Sequence, residues 1–285
     1  IFRNVATREL QGKYIAEYAV NSLGLRRFVV LHPLEEFGFE LRDFFVKEVE
    51  SLGGEVISVI SYERSQTDFK KQIHEMGGID DDDLRKLVKE QVKNNLESKS
   101  LGQNGPMTRP LVEMGLWSGD EVQNLKVSLE LSYDAIFLPG FYDKVGLIVP
   151  QLVFYNIDNA TLLGASGWNS PELTKMTGKH IRKGYFVDGF FVQSKRPEVV
   201  QFVREYKNTF KDEPTILSAQ AYDATKMLIK TIHSGAKNRI QVKKRLLQIR
   251  GFQGVSGKTT ILSTGEAEKK LFAMKIVKKK IVEAN

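Results

Sequence analysis

Short apolar runs alternate with amphipathic stretches along most of this chain. RRFVVLHP (Arg26–Pro33), EVISVISY (Glu55–Tyr62), AIFLP (Ala135–Pro139) and ATLLGAS (Ala160–Ser166) have the length and content of buried strands. Helical spacing fills the intervals. Leu10, Tyr14, Ile15, Tyr18, Ala19 and Leu23 form one face of a helix over Arg8–Leu23, and Gly24 suits its end. Leu41, Phe44, Phe45, Val49 and Leu52 predict a helix over Phe39–Leu52 that stops at Gly53-Gly54, with Glu35–Gly38 as a loop before it. Thr67–Met76 starts another helix, with Thr67 or Asp68 as N-cap. Continuous apolar strands separated by helices indicate a parallel sheet covered on both faces. The fold class is therefore α/β, built on a wound sheet.

The stretch Tyr133–Leu173 is a complete strand–helix–strand unit, its helix marked by Val145, Ile148, Val149, Leu152 and Val153. In open parallel sheets ligands sit beyond the carboxyl ends of the strands. Two loops lie there, Gly140–Asp143 and Gly167–Ser170, and both set aromatic rings beside polar groups. These aromatics either line a small-molecule cleft or plug the end of the sheet. The segment Gly77–Leu131 breaks the alternation. Asp80–Asp83 precede Leu84, Leu87, Val88, Val92 and Leu96, which predicts a surface helix over Asp80–Glu97 with acids at its positive end. The Asp-x-Asp-x-Asp-Gly pattern of a calcium loop is missing. Gly102–Gly119 reads as an irregular loop. Near Val187 a different packing unit begins. Pro197–Phe210, Leu217–Ser234 and Ile240–Ile249 are helices with no good buried strand between them, and Leu271–Ile276 with Lys280–Glu283 reads as a hairpin.

Composition narrows the chemistry. The 285 residues suffice for one large domain or two lobes with real cores. The net charge of +7 comes from scattered Lys and Arg with a cluster at Lys275–Lys280, which reads as a solvated face rather than a nucleic-acid surface. The absence of cysteine excludes disulfides, thiol catalysis and thiolate metal sites. No run approaches the roughly 18 apolar residues of a membrane span. GVSGKTT (Gly254–Thr260) looks like a phosphate loop, but Phe252 stands where that loop needs its first Gly. GASGW (Gly164–Trp168) looks like a nucleophile elbow, but Trp168 replaces its second Gly. His32, His74, His180 and His233 are far apart in the sequence, and none has a metal-spaced neighbour. No nucleophile–base pair and no metal or cofactor motif is evident, so the chain does not read as an enzyme.

The ordered set of segments is similar to the type I periplasmic solute-binding proteins, the family of the leucine/isoleucine/valine-binding proteins. The matching pieces are IFRN before a helix ending in LGLRRFVVLHP, Phe37-Gly38, GGEVISVISYERSQTDF, DAIFLPG with FYD, LLGASGWNSPEL, PEVVQFVREYKNTFKDEPT, AYDATKMLI and FAMKIVKKKIVE. The resemblance covers most of the chain except Gly77–Leu131. It implies two wound parallel-sheet lobes joined by three crossings, with the first lobe incomplete in this chain. Lobe two would be residues 1–188 plus 268–285, carrying the insertion 77–131, and residues 189–267 the remaining part of lobe one. Roughly a hundred residues of the family's first lobe have no counterpart here, about a small domain's worth. The apolar faces of the helices Pro197–Phe210 and Leu217–Ser234 would then lack partners. The residues implied at the ligand are Phe37, Phe141, Tyr142, Trp168 and Asn169; if Trp168 is core instead, its loss costs stability rather than binding. Phe37 stands where family members often carry a ligand-stacking Tyr, and no acid occurs near Trp168 and Asn169 until Glu172. The implied role is to bind a small polar ligand, an amino acid or related molecule, for uptake by an ABC-type permease or for sensing. No metal, cofactor or nucleic acid is implied. WNSPE (Trp168–Glu172) also looks like the receptor-like lipoproteins that activate penicillin-binding proteins, which makes a cell-wall synthase the alternative partner. Either resemblance implies a periplasmic protein or a lipoprotein facing the periplasm, although the chain, which starts at Ile1, shows no signal peptide.

Overall fold

The computed structural model describes residues 1–80, 82, 83, 86, 90 and 131–284. Five strands, β1 (Arg27–Pro33), β2 (Glu55–Tyr62), β3 (Ala135–Phe137), β4 (Thr161–Gly164) and β5 (Gly184–Asp188), pair in parallel in the order β2-β1-β3-β4-β5. Successive residues of β1 serve opposite cores. Phe28 and Val30 pack with Phe45 and Phe137 beneath α1 (Arg8–Glu17) and α2 (Glu36–Ser51). Val29 and Leu31 pack with Ile136, Val145 and Leu152 on the other face, against α3 (Lys70–Glu75), α4 (Tyr142–Phe154) and α5 (Pro171–Thr177). This two-faced burial is why the strands read as unbroken apolar runs.

Beyond β5 the chain builds a second unit from α6 (Pro197–Phe210), α7 (Ile216–His233), α8 (Arg239–Leu246) and an antiparallel sheet of β6 (Phe252–Gly254), β7 (Gly257–Ile261) and β8 (Ala267–Lys270). Among the described residues this unit has no parallel ladder. The chain then returns, and β9 (Phe272–Val277) pairs antiparallel with β5 and β10 (Lys280–Glu283) antiparallel with β9, which completes a seven-stranded sheet. The expected terminal hairpin is present.

Several sequence expectations shift. Val187 lies within β5, which ends at Asp188. The return crossing lies at Leu271 rather than 268, because residues 267–270 pair with β7. Arg3 bridges to Glu266, which sets the first residues beside the small sheet and not in the large one. The first helix ends at Glu17 and widens into a π turn over Tyr18–Ser22. Phe37 and Gly38 lie in the first turn of α2 rather than in a loop. Gly38 permits this start: a Cβ there would stand 2.4 Å from the Pro33 carbonyl oxygen. The phosphate-loop look-alike is the β6–β7 turn. Its Val255 and Ser256 N–H groups donate to the buried Asp223 carboxylate of α7, at 2.8 Å each, so an internal anion fills the turn. The helix expected at Asp80–Glu97 and the loop Gly102–Gly119 fall outside the described residues, apart from Asp80, Asp82, Asp83, Lys86 and Glu90.

Candidate functional site

The carboxyl ends of β3, β4 and β5 open onto a cleft of about 1050 Å³. Its floor is made by the two loops singled out in the sequence. They pack tightly, for a Cβ at Gly167 would lie 2.7 Å from the Gly140 carbonyl oxygen. Phe141 and Tyr142 begin α4 with exposed rings and line the cleft. Asn169 lines it too, donating from Nδ2 to Asp188 Oδ2 at 2.8 Å and to the Phe190 carbonyl at 3.0 Å. Its Oδ1 is thereby turned away from those partners and can accept. Phe37 stacks on Phe141 with centroids 4.6 Å apart, under the Arg8 guanidinium, and does not itself line the cleft.

Trp168 is fully buried. Its ring lies across Gly164, where a Cβ would stand 2.3 Å from the indole, and its Nε1–H donates to the Leu138 carbonyl at 3.1 Å. It supports the floor from below, and the expectation of a ligand-stacking ring at this position is corrected: no face of the indole reaches the cleft. The glycine four residues earlier in a buried strand was the sequence sign of this close approach.

Three groups in the cleft were not anticipated. Asp188 ends β5 and is 7% exposed. Burial pushes its carboxyl up to about 6, against the hydrogen bonds from Asn169 and the Gly189 N–H. A charged residue closing an otherwise apolar strand was the visible signal. Gln11 of α1 accepts the Ser166 N–H on Oε1 and donates from Nε2 to the Ala6 carbonyl, tying the incoming chain to the cleft floor. The opposite wall comes from the second unit: Glu213, Pro214, Thr215 and Ile216 before and at the start of α7, and Gln220 one turn on. Thr215 caps that helix. The rim is completed by Lys279, Lys280 and Ile281 of the β9–β10 hairpin. Its two turn residues, Lys278 and Lys279, both have positive φ, 48° and 63°. For residues with a Cβ this costs about 1 kcal/mol each.

A family model for periplasmic binding proteins matches residues 132–280. The chain belongs to that family. Solved structures agree with the fold. The leucine binding protein LivK of Thermotoga maritima superposes with a TM-score of 0.65 at 21% identity, over 100% of this chain and 67% of that one. The branched-chain amino acid transporter substrate binding protein LivJ of Streptococcus pneumoniae, in complex with isoleucine, gives 0.59 at 21%, over 98% and 66%. An ABC transporter solute binding protein of R. palustris, in complex with benzoate, gives 0.61 at 13%, over 99% and 64%. The chain thus spans about two thirds of the length of these structures. Among curated proteins, none matches it. As a periplasmic binding protein the chain has one wound sheet together with a smaller unit of helices and antiparallel strands, the incomplete lobe implied by the sequence.

Proposed function

We propose that this chain is the ligand-binding part of an extracytoplasmic solute receptor, which holds a small polar molecule, an amino acid or related compound, between its two units. The observation that carries this reading is the cleft itself. It lies at the strand carboxyl ends, with Phe141, Tyr142 and Asn169 on one side and the start of α7 on the other. Rings on the floor stack on a planar or apolar part of a solute, and Asn169 Oδ1 accepts from a donor on it. Phe37 stiffens Phe141 from behind and Trp168 fixes the floor. A solute touching both walls favours the closed arrangement of the two units and shifts the population towards it. That shift is the signal that an ABC-type permease or a sensor reads. Isoleucine and benzoate in similar structures support a ligand of this size. The periplasm, with or without a lipid anchor, is the compartment this role requires.

The test is a metabolite screen by melting temperature. A true ligand at a hundred times its Kd stabilises the protein by about 2.7 kcal/mol. Tyr142→Ala should weaken binding by on the order of 1–3 kcal/mol with little change in the unliganded midpoint. No stabilisation by any metabolite, together with capture of a cell-wall synthase, would replace this reading with the protein–protein alternative.

A further inference from the structure

We propose that the outer face of α8 and of the C-terminal half of α7 is a docking surface for an anionic phospholipid bilayer. Docking here is a second function beside solute binding and does not depend on the cleft. The two surfaces are separate. α7 lends the cleft only its first turns, and at a rise of about 1.5 Å per residue Ile232 lies roughly 18 Å along that helix from Gln220.

Charge is the first observation. Lys and Arg are scattered along the chain, but the acids that offset them are not. Between Asp223 and Glu266 there are nine Lys and Arg and no Asp or Glu, so this stretch alone exceeds the net charge of +7. The two acids at its ends are occupied. Asp223 is buried and accepts the Val255 and Ser256 N–H groups, and Glu266 is paired with Arg3. Lys230, Lys237, Arg239, Lys243 and Lys244 are exposed, and none makes an ion pair among the described residues. Compensation of helix dipoles accounts for Lys230, Lys243 and Lys244, which lie in last turns. It does not account for Lys237 and Arg239. They flank Asn238, the N-cap of α8, where the positive end of the helix disfavours a cation.

What lies between the cations is the second observation. Leu228, Ile229 and Ile232 are exposed on the side of α7 that faces away from its buried line, Ala219, Asp223, Met227 and Thr231. Ile240 is exposed beside Lys243 and Lys244 on α8. On the inner side Leu246, Leu247 and Ile249 close on Met227 of α7 and Ile261 of β7, which holds α8 against α7 and makes one end of the second unit from both helices. Apolar side chains interleaved with Lys and Arg, and no acid among them, are the composition of a helix face that lies in a bilayer interface. The apolar groups enter the headgroup boundary, while the lysine stems cover them and the ammonium groups meet lipid phosphates. A nucleic acid offers phosphates but no apolar layer for Ile229, Ile232 and Ile240, so these residues decide for the bilayer.

The experiment is co-sedimentation of the whole chain with vesicles. The parent should bind an equal mixture of phosphatidylglycerol and phosphatidylcholine, ignore pure phosphatidylcholine, and lose binding as salt rises. Lys237→Gln, Arg239→Gln, Lys243→Gln and Lys244→Gln combined should weaken binding by a factor on the order of a thousand, about fivefold for each cation. The melting temperature should stay that of the parent, because all four side chains are exposed. Ile240→Ser should weaken binding about tenfold through lost apolar contact with the bilayer. Lys47→Gln, Lys71→Gln, Lys179→Gln and Lys183→Gln combined remove as much charge from exposed positions of the sheet unit and should keep binding within about threefold of the parent. No binding beyond that to phosphatidylcholine overturns the docking surface. So does an equal loss in the two four-residue variants, since net charge and not this face would then be at work. A DNA duplex bound as tightly as the vesicles, with Ile240→Ser changing neither, overturns the bilayer in favour of a nucleic acid. Sedimentation only at concentrations where the chain self-associates without vesicles overturns it in favour of a second copy. Should the first variant fold poorly, the pairs Lys237→Gln with Arg239→Gln and Lys243→Gln with Lys244→Gln take its place, each expected to lose about thirtyfold.

Discussion

The two units of this protein contain the same kinds of helix and bury them to different depths. In the sheet unit, α1, α2 and α4 press their apolar stripes onto strands that are themselves apolar on both faces, and Ile15, Phe45 and Ile148 are fully buried. In the second unit α6 turns Val199 and Phe202 inward but leaves Val200 51% exposed. Leu217, Leu228 and Ile232 recur at helical spacing along α7, and Leu217 is 72% exposed. α8 buries no residue, and Ile240 is 68% exposed. The periodicity of a helix specifies an apolar face; whether that face is covered depends on a sheet that the helix itself does not encode. The three-stranded sheet is too small to cover these faces. The sheet unit has its own exposed apolar residues, Ile57 and Val59 on the edge strand β2 and Phe154 at the end of α4, and these lie at its margins.

The largest effect that tests this contrast is at Trp168. Its indole is packed on Gly164 and hydrogen-bonded to Leu138 inside the closed unit. Trp168→Ala should cost about 3–5 kcal/mol, read as a lower denaturant midpoint at unchanged slope. A loss under about 1 kcal/mol would mean that the sheet unit collapses around the gap and is packed as loosely as its neighbour.

What could be read from the chain beforehand follows from which constraints are local. Burial on both faces writes continuous apolar runs, so β1, β3 and β4 were visible, and the strand ends located the loops of Phe141, Tyr142 and Asn169. Trp168 was misplaced because its environment is set by a glycine in one strand and a carbonyl at the end of another. Phe37 reads as a loop residue because the apolar period becomes clear only from Leu41; the close approach of Gly38 to Pro33 lets the helix start earlier, at Glu36. The wall at Glu213–Ile216 has no motif and reaches the cleft only through the chain crossings. The lysine cluster reads as a solvated face, and Lys278, Lys279 and Lys280 are exposed; what a run of lysines does not disclose is which of them sit in left-handed turn positions.

A smaller effect is expected at Asp188, the buried charge at the edge of the closed unit. Its carboxyl is raised from 3.8 to about 6, chiefly by burial. The folded protein therefore holds that proton more tightly than the unfolded chain does. Stability attributable to this group rises as pH falls from about 6 towards 3.8, and its full cost is present above pH 6. Asp188→Asn removes the buried charge but leaves one accepting oxygen for two donors, so either Asn169 Nδ2 or the Gly189 N–H loses its partner. The net gain at pH 7 should be on the order of 1–2 kcal/mol and should vanish near pH 4. Thermal melts of parent and variant across that range check it. A difference independent of pH would mean that the Asp188 carboxyl is not raised in the folded protein.

The smallest change in stability, and the most direct probe of the open unit, is at its exposed apolar positions. Leu217→Ser and Ile240→Lys replace side chains that are mostly in water, so each should move stability by no more than about 0.5 kcal/mol. Their effect should appear in association instead. Apolar residues gathered on one unit form a patch of the kind that drives contact between molecules. Sedimentation or light scattering over a concentration series should show the double variant remaining monomeric at concentrations where the parent self-associates. The same substitution at Ile15, inside the sheet unit, should unfold the protein rather than disperse it, because it opens a cavity and buries a polar group. If Leu217→Ser or Ile240→Lys costs more than about 2 kcal/mol, those side chains are buried in the folded protein in solution, since surface positions do not carry losses of that size. The second unit would then be as closed as the first, and the difference in burial between the two would disappear.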